Sequence, residues 1–410
     1  MSKPEAPIHS ALSTVEFEDG VLLWGNQKVS DIADNVGQTP FYAYDRERIS
    51  QRIATLRQTM PDRLMLHYAI KANPMPEIVD HVAKLVDGLD VASGRELQTA
   101  QQTATAPHDI SFAGPGKRDD ELTDAVKAGI TINIESVGEM RRISGISDDL
   151  GTHANIAIRV NPAFELKTAG MKMGGRPSQF GIDAEQVPEV LAELKALDLG
   201  FRGFHVFSGS QNLRAEAICE SLEKTVELVV ELASAIDLPV SFVNLGGGLG
   251  IPYFPKETPL DLAPVADAVD QAIDRLTGAL GNVEPIMELG RYLVGEAGIY
   301  VTRVVDIKHS RGSKFAVCDG GMHHHLAASG NFGQIIRKNY PILSVDASTA
   351  EEEVSVVGPL CTPLDLLGDR VTISGLEVGS LVAVLQSGAY GATASPTAFL
   401  SHPGFVEVVV

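Results

Sequence analysis

The run Tyr68-Ala69-Ile70-Lys71-Ala72-Asn73-Pro74 places a lysine amine where it can form an imine with a carbonyl compound. Five other places carry groups that suit the same kind of ligand. Asp90 and Arg159 are charged residues inside otherwise apolar runs, and His205 precedes Ser208 in Phe204-His205-Val206-Phe207-Ser208. Gly246-Gly247-Gly248 offers backbone N–H groups free to approach a phosphate, and Arg291 in Glu288-Leu289-Gly290-Arg291 adds positive charge there. A buried Glu288 could keep a ring nitrogen protonated, and the flat imidazole of His205 could stack on a planar molecule. Each residue alone has an ordinary explanation, such as a solvated strand end, a hydrogen-bonded core histidine or a simple turn. Only their convergence on one place would make a site.

The elements that must bring them together repeat between about residues 45 and 295. Short apolar runs lie at 66–71, 88–92, 110–113, 131–135, 156–160, 201–207, 241–245 and 285–289. Between them lie stretches with helical apolar spacing, at 76–86, 120–128, 187–197, 215–236 and 264–280, with a further helix over 46–60 before the first run. Eight strands alternating with helices predict a parallel (β/α)8 barrel. The reactive residues then fall at strand ends, on the C-terminal face where barrel enzymes build their sites. Residues 161–184, with Gly170, Gly174, Gly175 and Gly181, read as a long functional loop. After residue 295 the runs 299–307, 314–318, 354–357, 371–374 and 381–386 are short and strand-like, which predicts a C-terminal β domain over 296–410. The first 44 residues, with strand-like 20–24 and 40–44, are expected to join it.

Bulk composition narrows the partners. The net charge of −20 argues against binding a nucleic-acid backbone. Three cysteines, Cys219, Cys318 and Cys361, do not make a disulfide framework, so a reduced, cytoplasmic setting is expected. The N-terminus lacks an apolar signal segment, and no apolar run reaches the ~18 residues that suggest a membrane span.

In kind, order and spacing these motifs resemble the fold-type III decarboxylases that use pyridoxal 5′-phosphate (PLP), the diaminopimelate/ornithine/arginine group. The resemblance covers roughly residues 40–400 and implies an alanine racemase-like barrel with a C-terminal β domain. It implies that Lys71 holds PLP as a Schiff base and that Asp90 and Arg159 lie near the cofactor. His205 takes the part of the ring-stacking histidine. Ser208, Gly247, Gly248, Gly290 and Arg291 surround the phosphate, and Glu288 partners the pyridine nitrogen. Gly358-Pro359-Leu360-Cys361 resembles the run whose cysteine reaches the partner subunit's site, and Gly388-Ala389-Tyr390 the run whose tyrosine touches the phosphate. Head-to-tail homodimers with composite sites are therefore expected.

Three departures concern the substrate. Thr362 stands where such enzymes often carry an acidic residue for the substrate's far end, with Asp365 further on. The segment 321–334 lacks the arginine that holds a distal carboxylate in diaminopimelate enzymes, and none occurs until Arg337. Phe207 stands where glycine is usual. The run Met322-His323-His324-His325-Leu326-Ala327-Ala328-Ser329-Gly330-Asn331-Phe332-Gly333-Gln334 resembles a subgroup from biosynthetic clusters, including exosortase-associated ones, some of which decarboxylate a glutamyl group tethered to an acyl-carrier protein. A metal at the three histidines is disfavoured, because consecutive strand residues face opposite ways. The expected activity is thus α-decarboxylation of a free or carrier-tethered amino acid. Alternatives are a diaminopimelate decarboxylase, a racemase or a non-catalytic PLP-binding protein on the same fold. Glu288 and Cys361 weigh against the racemase, and the β domain and retained lysine weigh against the non-catalytic protein.

Overall fold

The computed structural model describes residues 9–164, 171–172, 175–236, 238–347 and 350–410, with 171–172 as backbone alone. Gly170 and Gly174 lie outside the described residues. The chain divides into two compact units: one through Ile49 with Ile251–Pro259 and Val294–Val410, the other Ser50–Gly250 with Leu260–Leu293. The short segment Ile251–Pro259, inside the span expected for the barrel, belongs to the β unit.

The second unit is a closed parallel barrel. Its strands are β1 (Met65–Ala69), β2 (Gly88–Val91), β3 (Ile110–Phe112), β4 (Thr131–Ile134), β5 (Asn155–Asn161), β6 (Gly200–Val206), β7 (Phe242–Gly247) and β8 (Glu284–Leu289). They pair in order around the ring, with β8 on β1 and β4 on β5 closing it, all parallel. Nearly every strand residue is buried, because helices cover the outside and side chains fill the inside. Ala157, Phe242 and Ile286 cluster in the core with Met65 packed against them.

Helices follow the strands as the apolar spacing predicts, at Pro76–Ala83, Asp119–Ala128, Val187–Leu194, Ala215–Ser234 and Ala263–Leu280, with Arg46–Thr59 before β1. Two further helices, Gly94–Ala100 and Val137–Leu150, were not expected from apolar spacing. Both start on a serine cap: Ser93 Oγ accepts from Glu96 N at 3.2 Å, and Ser136 Oγ from Glu139 N at 3.1 Å. Lys71 itself lies just beyond β1, in a 3-10 turn over Ile70–Ala72, rather than in the strand.

The long loop after β5 is partly ordered into sheet. Ile182–Asp183 adds in parallel to the end of β5, and the backbone at Met171–Lys172 pairs antiparallel with Gly209–Ser210.

Among its described residues, the first unit is all-β apart from the helix Val29–Val36, the first turn of the helix Arg46–Thr59 and short 3-10 turns. Its sheet runs Ile342–Ser344, Leu381–Val384, Gly298–Ser310, Ser313–Cys318, Glu351–Val357 and Leu366–Ser374. Phe41–Tyr44 pairs antiparallel with Gly298–Ser310 and parallel with Val406–Val409. Leu22, Trp24, Val29, Ile32 and Phe41 pack with Ile299, Val301, Leu343 and Leu381, so the N-terminal segment is part of this core.

Candidate active site

The barrel brings Lys71, His205 and Glu288 into contact. Lys71 follows β1, Glu288 is on β8 beside it, and His205 is on β6. Lys71 Nζ donates to Glu288 Oε1 at 2.9 Å, and His205 Nε2 lies 3.3 Å from Glu288 Oε2. Glu288 and His205 are buried, whereas the Lys71 side chain is 42% exposed. Burial opposes a charge on Glu288, yet the Lys71 ammonium and the His205 imidazole outweigh it and hold the carboxyl well below the usual carboxylate range. The carboxylate is thus kept ionised on the inner side of the lysine.

A second buried cluster includes Asp90 on β2. His67 Nδ1 lies 3.5 Å from Asp90 Oδ1, and the same oxygen accepts from Ser111 Oγ, which in turn accepts from Asn133 Nδ2 at 3.1 Å. Burial disfavours a charged His67, but Asp90 beside it prevails and raises its pKa. Asp90 is therefore engaged within the barrel interior by His67 and Ser111.

Arg159, on β5, is held by a residue that apolar patterning did not single out. Its Nη1 donates to Glu135 Oε1 at 2.7 Å, and its guanidinium lies over the Phe180 ring, 4.8 Å from the centroid. Glu135 stands just after β4 and also accepts from the backbone N–H groups of Gly114 and Gly181, each at 2.7 Å. Its own N–H donates to Glu139 Oε2 at 2.7 Å, and Glu139 Oε1 accepts from the buried Lys117 Nζ at 3.0 Å. Burial lowers the Lys117 pKa against the pull of Glu139 and Glu135. Glu135 was visible as the last residue of the run Thr131–Glu135, the same strand-end position that drew attention to Lys71.

The expected phosphate residues gather after β6 and β7. Gly248 has φ +85°, and a Cβ there would lie 2.4 Å from Gly209 O. A Cβ on Gly247 would lie 2.0 Å from Glu288 O. Only glycine fits at either position. Ser208, Asn212, Gly247 and Gly248 line one small cavity. Ser208 Oγ and Asn212 Nδ2 are buried there without a hydrogen-bond partner among the described residues. Asn212, which sequence reasoning passed over, is fixed by its Oδ1 accepting from Arg214 N at 3.0 Å. Gly290 and Arg291 follow β8, and Arg291 opens the short helix Arg291–Val294.

The remaining expected residues belong to the β unit. Cys361 is exposed in the turn between Glu351–Val357 and Leu366–Ser374. Tyr390 is partly buried at φ +58°. Asp365 is buried and braces its own loop, accepting from Met322 N at 2.6 Å and Leu360 N at 2.8 Å. Thr362 Oγ1 accepts from Leu364 N at 3.3 Å. The three histidines do not lie on a strand, as the face argument assumed, but in a turn. His324 Nε2 meets Pro403 O at 2.8 Å and His325 Nε2 meets Ser387 Oγ at 2.9 Å.

A partly exposed amine backed by an ionised carboxylate, beside a glycine cradle with an unsatisfied serine hydroxyl, fits a phosphorylated aldehyde such as PLP. Comparison with known proteins agrees. The chain belongs to the pyridoxal-dependent decarboxylases, the model of whose pyridoxal-binding domain matches residues 46–295. It is accordingly a PLP-dependent amino-acid decarboxylase of fold type III, a lyase. It is 38% identical to the L-glutamyl-[BtrI acyl-carrier protein] decarboxylase of Niallia circulans, covering 91% of this chain and 89% of that one. It is 34% identical to the diaminopimelate decarboxylase of Aquifex aeolicus, covering 97% and 92%. The diaminopimelate decarboxylase of M. jannaschii, solved in complex with L-lysine, superposes with a TM-score of 0.87 at 28% identity, covering 98% and 93%. Among the described residues no helix is long and apolar enough to cross a membrane.

Proposed function

We propose that the chain decarboxylates the α-carbon of a glutamyl group tethered to a carrier protein, with Lys71, Glu288 and His205 as the centre of the site. The observation that carries the substrate reading is the state of Arg337. It is the first arginine after the segment 321–334, and a free distal carboxylate would need such a partner. Its Nε donates to Ser329 O at 3.0 Å and its Nη2 to Leu366 O, so two of its three nitrogens are tied to its own loops, and Nη1 is buried without a partner among the described residues. A substrate whose far carboxyl is masked by a carrier linkage needs no such cation. The relative from Niallia circulans, named for a glutamyl carrier substrate, supports the same reading.

Lys71 would hold the cofactor's aldehyde carbon, Ser208, Gly247, Gly248, Gly290 and Arg291 its phosphate, and Glu288 its ring nitrogen. When bound, PLP supplies an electron sink for the bond to the departing carboxylate. Glu288, ionised in its buried place, would keep a proton on that nitrogen. His205 presses on the carboxylate from within and fixes its direction. Arg159, oriented by Glu135, and Asp90 would complete the site's charge near the cofactor. Lys71 would return to its place as the product amine leaves.

Cys361 would come from a second subunit and return the proton to the α-carbon, with Tyr390 beside the phosphate and Thr362 and Asp365 near the substrate's far end. A homodimer is supported by the exposed apolar side chains Ile335 and Ile336 on the β unit, 101% and 77% exposed. Their burial by another chain would remove apolar surface from water. We place the enzyme in the cytoplasm, where carrier-bound substrates and reduced cysteines are available.

The diaminopimelate reading remains the alternative, favoured by the relative from Aquifex aeolicus. Measuring carbon dioxide release from glutamyl-loaded carrier protein, free glutamate, diaminopimelate, lysine, ornithine and arginine decides between them. Release from the loaded carrier at a kcat/KM at least about 100-fold above any free amino acid is the expected result. Preference for diaminopimelate would overturn the carrier assignment.

A further inference from the structure

We infer that His67 is a positioning residue for Asp90: its imidazole lies against one oxygen of that carboxylate, so that the other oxygen is left for the bound cofactor or substrate. This rests on the PLP reading above, which puts Asp90 near the cofactor, and adds a residue to it.

β1 reads Met65-Leu66-His67-Tyr68-Ala69, and His67 is its one basic side chain. It is 1% exposed, at a place where an apolar side chain would cost less to bury. The neighbouring strand makes room for it. A Cβ on Gly88 would lie 2.4 Å from His67 Nε2 and 2.3 Å from Asp109 O, so only glycine leaves space for the ring. Asp90 follows two residues along β2, on the same face as Gly88. His67 Nδ1 reaches to 3.5 Å from Asp90 Oδ1, an ion-pair contact rather than a full hydrogen bond.

The same oxygen is held from the strand on the other side. Ser111 on β3 donates its hydroxyl to Asp90 Oδ1, and Asn133 on β4 donates Nδ2 to Ser111 Oγ at 3.1 Å. Ser111 thus has its only proton committed to Asp90. Asp90 Oδ2 is buried and has no hydrogen-bond partner among the described residues. One oxygen is anchored from both sides, and the other is open. A buried oxygen without a donor is costly, and a ligand group that donates to it removes that cost.

The charges around His67 single out Asp90 as its partner. Burial disfavours a charged imidazole, and Asp90, Asp109 and Asp87 together outweigh it. Glu288 is its paired neighbour on β8. Asp87 has Arg57 as its own partner at 2.7 Å, and Glu288 has Lys71 at 2.9 Å. Asp109 meets His108 at 3.4 Å. The base in contact with Asp90 is His67.

Nuclear magnetic resonance of the protein carrying isotope-labelled histidine reads the protonation of His67 without any cofactor, and His67→Phe identifies its signal. The imidazole is expected to keep both protons above its ordinary midpoint of 6.5, and Asp90→Asn to bring its titration down. A His67 already neutral at that pH, or one whose titration ignores Asp90→Asn, would overturn the inference. In the PLP-loaded enzyme, His67→Phe keeps a ring in place and removes the charge. It is expected to lower kcat/KM about 10-fold where the wild-type imidazole is charged. The two enzymes are expected to converge as pH rises and the wild-type imidazole loses its proton. A loss of equal size at every pH would reduce His67 to packing and overturn its positioning role. Failure of the wild-type protein to bind PLP at all would instead overturn the assignment on which the inference rests, while the histidine titration would be read as before.

Discussion

At the scale of single residues, the site depends on one carboxylate held between two nitrogen bases. Glu288 is useful only because Lys71 and His205 outweigh the cost of its burial. Replacing it with glutamine keeps shape and removes charge. Glu288→Gln should retain PLP but slow decarboxylation by about 100-fold or more, since the charged ring nitrogen matters most in the transition state. Single-turnover carbon dioxide release measures this, and wild-type turnover would exclude the role. The β-unit histidines make a separate prediction. Burial lowers the pKa of His323 to about 4 and that of His325 to about 3, so both are neutral when folded near neutral pH. Between these values and the ordinary 6.5, the unfolded chain binds more protons than the folded one. Stability must then fall as pH drops below 6.5. His67 acts with the opposite sign, because its raised folded pKa gives stability below 6.5 that is lost as pH rises through the folded value. Thermal unfolding from pH 6.5 to about pH 5 should show a falling Tm, and His323→Asn should flatten the slope. An unchanged slope in that variant would contradict the account.

At the scale of elements, the eight strands and the glycine turns were legible because periodicity and composition act locally. Helices Gly94–Ala100 and Val137–Leu150 were missed because their apolar faces are thin. Their start signals were nevertheless present, as Ser93-Gly94-Arg95-Glu96 and Ser136-Val137-Gly138-Glu139. His205 stood out as the only aromatic base on its strand, but that it meets Glu288 on β8 depends on the order of the strands around the barrel, which spacing alone does not supply. The strand-end position of Glu135 was visible, but its role was not. Its role is to join the turn at Gly114, β5 through Arg159 and the segment at Gly181, and these meet only in three dimensions. Glu135→Ala would leave Arg159 buried without its partner and two N–H groups without an acceptor. It should destabilise the barrel by about 3 kcal/mol in urea unfolding. A loss below about 1 kcal/mol would show that the three segments hold without it.

At the scale of the whole molecule, the proposed site needs two chains. Cys361 lies on the β unit and Lys71 on the barrel, and the proposed site takes one from each subunit. Mixing Lys71→Ala with Cys361→Ala chains should therefore restore activity to roughly a quarter of the wild-type level, because random pairing makes half the dimers mixed and each mixed dimer has one intact site. No recovery in dimers shown to be mixed would mean that each site is built from one chain. The family and the cofactor, by contrast, rest on the barrel, whose span matches the pyridoxal-binding model.

The central claim is that Lys71 holds the cofactor. Reduction of the PLP-loaded enzyme with borohydride fixes the cofactor to whichever amine it occupies, and peptide mass mapping identifies that amine. A phosphopyridoxyl group is expected on the exposed Lys71 and none on the buried Lys117, whose amine is taken by Glu139 and the carbonyls of Gly114 and Asn133. A label on Lys117, or no label on Lys71, would contradict that claim.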